Sequence, residues 1–337
     1  MDTLWLGIDI GKATFVAAIM KNQEALELGE FNNDAAGFVA LAGAVRAEVS
    51  ASTIVHLVVE PTGGYEQAVV AFGYEQGWQV SLPNPKQVRD WAKGTQGVPG
   101  TRAKTDRQDA KLLARYGAAC RPTHQPPLAQ EVNELDSLLK RRQDLEQMLQ
   151  QERNRLQQLS GRPGIASKVV PSLEQMIRSL EDALAEVNQA IDDHLDQHKP
   201  LRQEVKRLLA LPGIGPKVGL PLLVLLHRWQ NLTDGEGTAK GLTAFVGLDP
   251  QPHESGRSVR RRASISKMGD VEVRRLLYMG ALSAVHGHNP LHNFYDRLVE
   301  RGKAKKLAVV AAARKILVWA WTLFSRQSDW NPKFHTI

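Results

Sequence analysis

Cys120 is the only cysteine among 337 residues, so an intrachain disulfide is impossible and a cysteine-based zinc site is argued against. A chain of that kind suits a reducing cytosol. Nothing near the N-terminus reads as a signal peptide, because Asp2 is followed only by the short apolar run 4–8. A long uncharged apolar stretch is also missing. The best candidate, 307–324, is interrupted by Arg314 and Lys315, and no membrane span is expected. Secreted, membrane and disulfide-scaffold classes are set aside on these grounds.

What is present is an ordinary globular composition, 42% hydrophobic and 23% charged, in a length that predicts two or three domains. The charge is unevenly placed. Residues 1–95 carry 6 basic and 11 acidic groups, whereas 250–337 carry 16 basic against 6 acidic. A smaller basic patch, 6 against 2, covers 96–127. This asymmetry fits a polyanionic partner, because neutralising phosphates releases counterions. Charge alone leaves a plain solvated face equally open.

The pattern divides the chain at about 125 and 200. In 1–125, short apolar runs at 4–9, 14–20, 25–31, 53–60 and 78–82 read as strands, and 35–49, 67–76 and 106–118 read as helices. That order is mixed α/β. In 126–200, leucines at three-four spacing run from Leu128 to Leu159, break at 161–171, and resume from Leu173 to Leu195. Two long amphipathic helices predict a coiled-coil hairpin, a spacer or oligomerisation element. Residues 201–337 read as mostly helical with basic loops. Within them Leu211-Pro212-Gly213-Ile214-Gly215-Pro216-Lys217 is like the hairpin of a helix-hairpin-helix motif, in which glycines and a helix N-terminus approach a phosphate. A plain turn between packed helices has the same pattern.

Four carboxylates in the first part carry the chemistry. Asp9 and Glu60 end predicted strands; Asp106 and Asp109 open a helix, three apart on one face. Such a set can hold paired divalent cations, and hard oxygen donors select Mg²⁺ or Mn²⁺. Each acid alone has a bland reading as a turn residue, a surface charge or a helix cap. His286, His288 and His292 lie close together but read as a helix break, with no role assigned. Trp319 and Trp321 are expected in the core, and Tyr65 is expected to pack locally.

The segments Gly7-Ile8-Asp9-Ile10-Gly11-Lys12, Glu60-Pro61-Thr62-Gly63-Gly64-Tyr65, Lys104-Thr105-Asp106-Arg107-Gln108-Asp109, Glu254-Ser255-Gly256 and Ser266-Lys267-Met268-Gly269 occur in that order. The ordered set resembles the DEDD (Piv/MooV-type) transposases of bacterial insertion sequences. The resemblance implies a RuvC-like, ribonuclease-H-type domain over 1–125, the hairpin over 126–200 and a C-terminal transposase domain over 201–337. It implies a metal-binding tetrad of Asp9, Glu60, Asp106 and Asp109, with Ser255 as nucleophile. It further implies a structured bridge RNA that pairs with donor and target DNA, and homo-oligomers, dimers assembling into tetrameric synapses whose sites combine two protomers. Action on bacterial cytoplasmic, nucleoid-associated DNA follows.

Ser258, Ser264 and Ser266 compete with Ser255 on sequence alone, and only the resemblance demotes them. Arg257, Arg260, Arg261 and Arg262 follow Ser255 and suit a scissile phosphate. Lys104, Lys267, Gly213, Gly215 and Lys217 complete the expected nucleic-acid-binding set. Two other readings stay open: a RuvC-like endonuclease that cuts branched DNA by water hydrolysis, and a non-catalytic nucleic-acid-binding protein.

Overall fold

Short apolar runs build the first three strands, β1 (Thr3–Ile10), β2 (Thr14–Lys21) and β3 (Glu24–Asn32), and β2 is buried on both faces from Phe15 to Ile19. The computed structural model describes residues 2–50, 52–95, 105–159, 161–164, 167–255 and 259–333, with the backbone alone for 252–255 and 259–263. After β3 come α1 (Ala35–Glu48), β4 (Ile54–Val59), α2 (Gln67–Glu75), β5 (Gln79–Ser81), α3 (Pro85–Gly94) and α4 (Asp106–Cys120). The sheet order is β3-β2-β1-β4-β5. β1 runs antiparallel to β2 and parallel to β4. Together these elements make the compact unit Met1–Pro127.

The two faces of this sheet do different things. Leu4, Leu6, Ile8 and Ile10 of β1, with Leu57 and Val59 of β4, pack against Phe38, Leu41 and Val45 of α1 and Val69 of α2. The alternate set, Trp5 and Val58 among it, faces α3 and α4 through Val88, Leu113 and Tyr116. α4 comes closest at Gly7, where an added Cβ would sit 2.3 Å from both the Ala110 carbonyl oxygen and the Ala114 nitrogen. Glycine there lets a helix backbone lie directly on a strand.

Every strand and helix expected in this part is present, together with one that was not expected. The Pro83–Pro85 region reads as a break in sequence, yet α3 begins at Pro85. Asn84 caps it, its side chain accepting from the Lys86 N–H at 2.8 Å, and proline occupies the first turn. Val88 is fully buried, and Trp91 meets Tyr116 edge-on at 5.5 Å.

The second unit, Leu128–Ile337, contains α5 (Gln130–Leu159), α6 (Val169–Gln197), α7 (Lys199–Leu209), α8 (Pro216–Leu232), α9 (Ala239–Val246), β6 (Pro250–Ser255), β7 (Val259–Ile265), α10 (Val271–Ala284), α11 (Pro290–Glu300) and α12 (Lys305–Ser325). α5 and α6 form the expected hairpin. Its outer part is held by Leu145, Leu149 and Leu180. Its base, with Val132, Leu135, Leu139, Ile191 and Leu195, shares one core with the helices that follow. α12 is long and apolar enough to cross a membrane, but Ala312, Ile316, Leu317, Ala320 and Leu323 are buried in that core. Trp319 and Trp321 are buried there too.

The basic loop expected around Ser255 is instead a two-stranded antiparallel hairpin, β6 with β7. The arginine run hid the strand. Its terminal β-branched residues, Val259 and Ile265, pair with Ser255 and Pro250, and they are the residues with strand propensity.

Candidate functional site

Asp9 and Glu60 end up side by side because β1 and β4 are parallel and in register. Gly7 pairs with Val58 and Ile8 with Val59, so Asp9 and Glu60 stand one step past the last pair. Adjacent strands lie about 4.8 Å apart. The period of two puts Asp9 on the same face as Gly7, the face that α4 covers. Across the other edge of β1, Asp9 is registered with Val16 of β2, and Val16 packs with Ala110 of α4. Both carboxylates are half-buried.

α4 brings the other two. Ala110 and Ala114 sit over Gly7, and Gly117 sits against Trp5 and Val58. The helix therefore runs back along β1, with its N-terminus toward Asp9. Asp109 and Asp106 lie on the extension of its sheet-facing stripe, Asp106 one turn beyond Ala110, or about 6 Å at 1.5 Å per residue. Thr105 caps the helix and accepts from the Gln108 N–H at 3.4 Å. The N-terminal dipole favours acids in this first turn. Asp109 is half-buried and Asp106 exposed.

The backbone thus gathers all four carboxylates at one end of one sheet face. Their side chains do not close round a point: among the described residues, no three His, Cys, Asp or Glu groups form a set able to hold a metal ion. The donors on offer are all carboxylate oxygens, and that chemistry fits Mg²⁺ or Mn²⁺.

The loops beside Asp9 and Glu60 are held by side chains that sequence reasoning missed. Asn33 Nδ2 donates to the Gly11 carbonyl at 3.1 Å and to the Tyr65 carbonyl at 3.2 Å. Glu66 Oε2 accepts from the N–H groups of Thr62 and Gly64, each at 3.0 Å. In sequence, Asn33 is one more polar residue before the cap Asp34. Tyr65 is 47% exposed.

Further down the same face, His56 stacks on Trp5 with ring centroids 4.4 Å apart, and its Nε2 lies 2.7 Å from Ser81 Oγ. Burial, then the neighbouring His124, lowers its pKa from 6.5 to about 4. Ser81 Oγ donates to the Thr123 carbonyl at 2.8 Å, so neutral His56 donates to Ser81. The Val80 N–H donates to His124 Nδ1 at 3.0 Å. Tyr74 donates its hydroxyl to the Gln125 carbonyl at 2.7 Å, and burial raises its pKa to about 12. These bonds strap 122–125 to the sheet edge.

In the second unit Ser255 ends β6, opposite Val259, and Arg260 and Arg261 in β7 are registered with Glu254 and His253. Arg262 follows in β7. Lys104, Arg257 and Ser258 lie outside the described residues. Ser264 is exposed. Ser266 is engaged, its hydroxyl donating to Asp249. Lys267 is exposed, has φ 58°, and donates its N–H to Gly247 at 3.1 Å.

The expected helix-hairpin-helix turn joins α7 to α8. Gly213, at φ 76°, meets protein and not open space: an added Cβ would fall 2.1 Å from the Gly280 carbonyl oxygen in α10. Gly215 caps α8 and faces open space. Lys217 Nζ pairs with Glu146 of α5 at 2.8 Å and is exposed. His292 lies with Nδ1 2.7 Å from the Val285 carbonyl and Nε2 3.2 Å from Asp296, a local arrangement that ties α11 to the end of α10.

Two family models match parts of this chain. A family model described as a transposase matches residues 6–159, and one described as the transposase IS116/IS110/IS902 family matches 205–296. Pilin gene-inverting proteins of Moraxella lacunata and Moraxella bovis are each 30% identical over 336 residues, covering 99% of this chain and 100% of theirs. An uncharacterized 43.6 kDa protein of insertion element IS110 from Streptomyces coelicolor is 27% identical over 156 residues, 45% of this chain and 35% of that protein.

Proposed function

The chain belongs to the IS116/IS110/IS902 family of transposases and is a DNA recombination enzyme, and from that premise we propose that it cuts and rejoins DNA through Ser255 with a metal-binding tetrad of Asp9, Glu60, Asp106 and Asp109. One observation carries the reading: Asp9 and Glu60 stand in register at neighbouring strand ends, with the first turn of α4 directed at them. In this reading the fold over 1–125 is RuvC-like. The helical hairpin spaces or joins protomers, and the domain from 201 onward carries the nucleophile.

The chemistry follows from the groups available. The Ser255 hydroxyl attacks a phosphorus, giving up its proton as the bond to a deoxyribose oxygen breaks and that oxygen is protonated. The phosphoserine ester keeps the bond energy, so a hydroxyl from another strand can reverse the step without ATP. Arg257, Arg260, Arg261 and Arg262 hold the phosphate as charge develops on it. A divalent cation bound by the carboxylates, Mg²⁺ or Mn²⁺, supplies Lewis-acid polarisation of the phosphate oxygens. Lys104, Gly215, Lys217 and Lys267 grip the backbone, while Gly213 packs the turn against Gly280 of α10. The tetrad lies in the first unit and Ser255 in the second, and in this reading the tetrad of one protomer pairs with the Ser255 of another in a dimer or tetramer.

Sequence choice is assigned to a bridge RNA that pairs with donor and target DNA, the protein reading backbone shape. Its setting is the bacterial cytoplasm, at the nucleoid. Sequencing of nucleic acid that copurifies with the protein should recover one discrete transcript; a random mixture removes the guide from the proposal.

The decisive experiment is a cleavage assay with denaturing electrophoresis and peptide mass mapping. A DNA–protein adduct at Ser255, lost in Ser255→Ala, is expected. Product with free termini, no adduct and undiminished cutting by Ser255→Ala would instead establish the hydrolytic endonuclease.

A further inference from the structure

We propose that Asn33 is a positioning residue of the carboxylate site, its side-chain amide setting the distance between the turn that follows Asp9 and the loop that follows Glu60. This rests on the metal-site reading above. Both hydrogens of the amide are used across two separate segments, to the Gly11 carbonyl at 3.1 Å and the Tyr65 carbonyl at 3.2 Å. Gly11 is two residues past Asp9, and Tyr65 is five past Glu60.

The clamp has a firm base. The Asn33 N–H donates to the Ala13 carbonyl at 2.8 Å, fixing its backbone to the β1–β2 turn. The next residue, Asp34, caps α1 by accepting from the Gly37 N–H at 2.8 Å. Asn33 is therefore anchored at both a turn and a helix packed in the core.

The loop it grips transmits the grip. Glu66, itself buried, ties Thr62 and Gly64 to one carboxylate oxygen, so 62–66 moves as a piece. Releasing the Tyr65 carbonyl frees that piece, and Glu60 stands at its root.

The amide can face only one way. Both partners are carbonyl oxygens, so the nitrogen must point at them. Asn33 Oδ1 is left buried without a hydrogen-bond partner among the described residues. Native structures rarely leave such a group unpaired, and each case calls for an explanation. Here the constraint is a donor with two hydrogens at this point; aspartate would set acceptors against acceptors, and leucine would bond to neither.

The test measures Mn²⁺ binding to the full-length protein by electron paramagnetic resonance, with Mn²⁺ alone as probe. Asn33→Leu is expected to weaken binding at least about tenfold, as loss of an outer-shell partner does, while circular dichroism stays that of the parent. Asn33→Ala gives the same result should the leucine variant fail to fold. Thr238→Ala is the control: it removes the cap of α9 in the second unit, where Thr238 accepts from the Gly241 N–H at 3.0 Å, lowers the melting temperature, and leaves Mn²⁺ affinity in place. Parent-like affinity in both Asn33 variants overturns the proposal, as does an equal loss in Thr238→Ala. Asp9→Asn separates the two levels. Mn²⁺ binding lost there but kept in the Asn33 variants rejects the clamp alone, and binding kept in Asp9→Asn rejects both.

Discussion

Gly7 and Ala110 meet backbone to backbone, close enough that a Cβ on Gly7 would lie 2.3 Å from the Ala110 carbonyl oxygen. That contact sets how deep α4 sits on the sheet, and with it how far Asp106 and Asp109 reach toward Asp9. Gly7→Val should lift the helix, at a cost of about 3 kcal/mol for overpacking a site without room to give. Chemical denaturation should show the midpoint falling with the slope unchanged.

Asp109→Asn keeps the shape and removes a charge from the first turn of α4. DNA cutting should fall at least about 100-fold, in the range expected when an electrostatic partner of the transition state is lost. Folding should change little, because the side chain is only half-buried. Cleavage rate and thermal melting, measured on the same preparation, check the pair of outcomes.

Stability should depend on pH through His56. The folded chain holds it neutral, with its pKa lowered to about 4, whereas an unfolded histidine titrates near 6.5. Between these values the unfolded chain takes up a proton that the folded chain refuses. The stabilisation is therefore complete above 6.5 and is lost as the pH falls toward 4, by about 3 kcal/mol at most. Melting curves from pH 7 to 4.5 should show this loss, and His56→Gln should flatten that part of the profile.

Lys217 distinguishes a phosphate contact from a structural turn. Its ion pair with Glu146 is exposed and contributes little to stability. If Lys217 grips a phosphate, Lys217→Gln should weaken binding across DNA sequences and reduce the slope of log affinity against log salt by about one. An unchanged slope leaves the turn with packing duties only. Gly213 already has such a duty against Gly280.

The division of labour between sequence and fold is visible in particular residues. The strands and helices of the first 125 positions were legible because alternation and three-four spacing are local properties of the chain. The four carboxylates stood out for the same reason, each marking the end or the start of an element. α3 was not legible, since Asn84-Pro85 serves equally to stop a strand and to start a helix. The β6–β7 hairpin was hidden because strand pairing draws on cross-strand neighbours that arginine-rich composition does not reveal.

By itself the order of residues determined most of the elements, though not α3 or the β6–β7 hairpin, together with where the acids sit on them and that the basic charge collects in the last quarter. Only the tertiary structure decided that Asp9 and Glu60 stand abreast, that α4 runs back along β1 over Gly7, and that Asn33 spans two loops more than thirty positions apart. Periodicity acts over a few neighbouring residues, whereas register and close approach depend on backbones that meet only after the chain has packed.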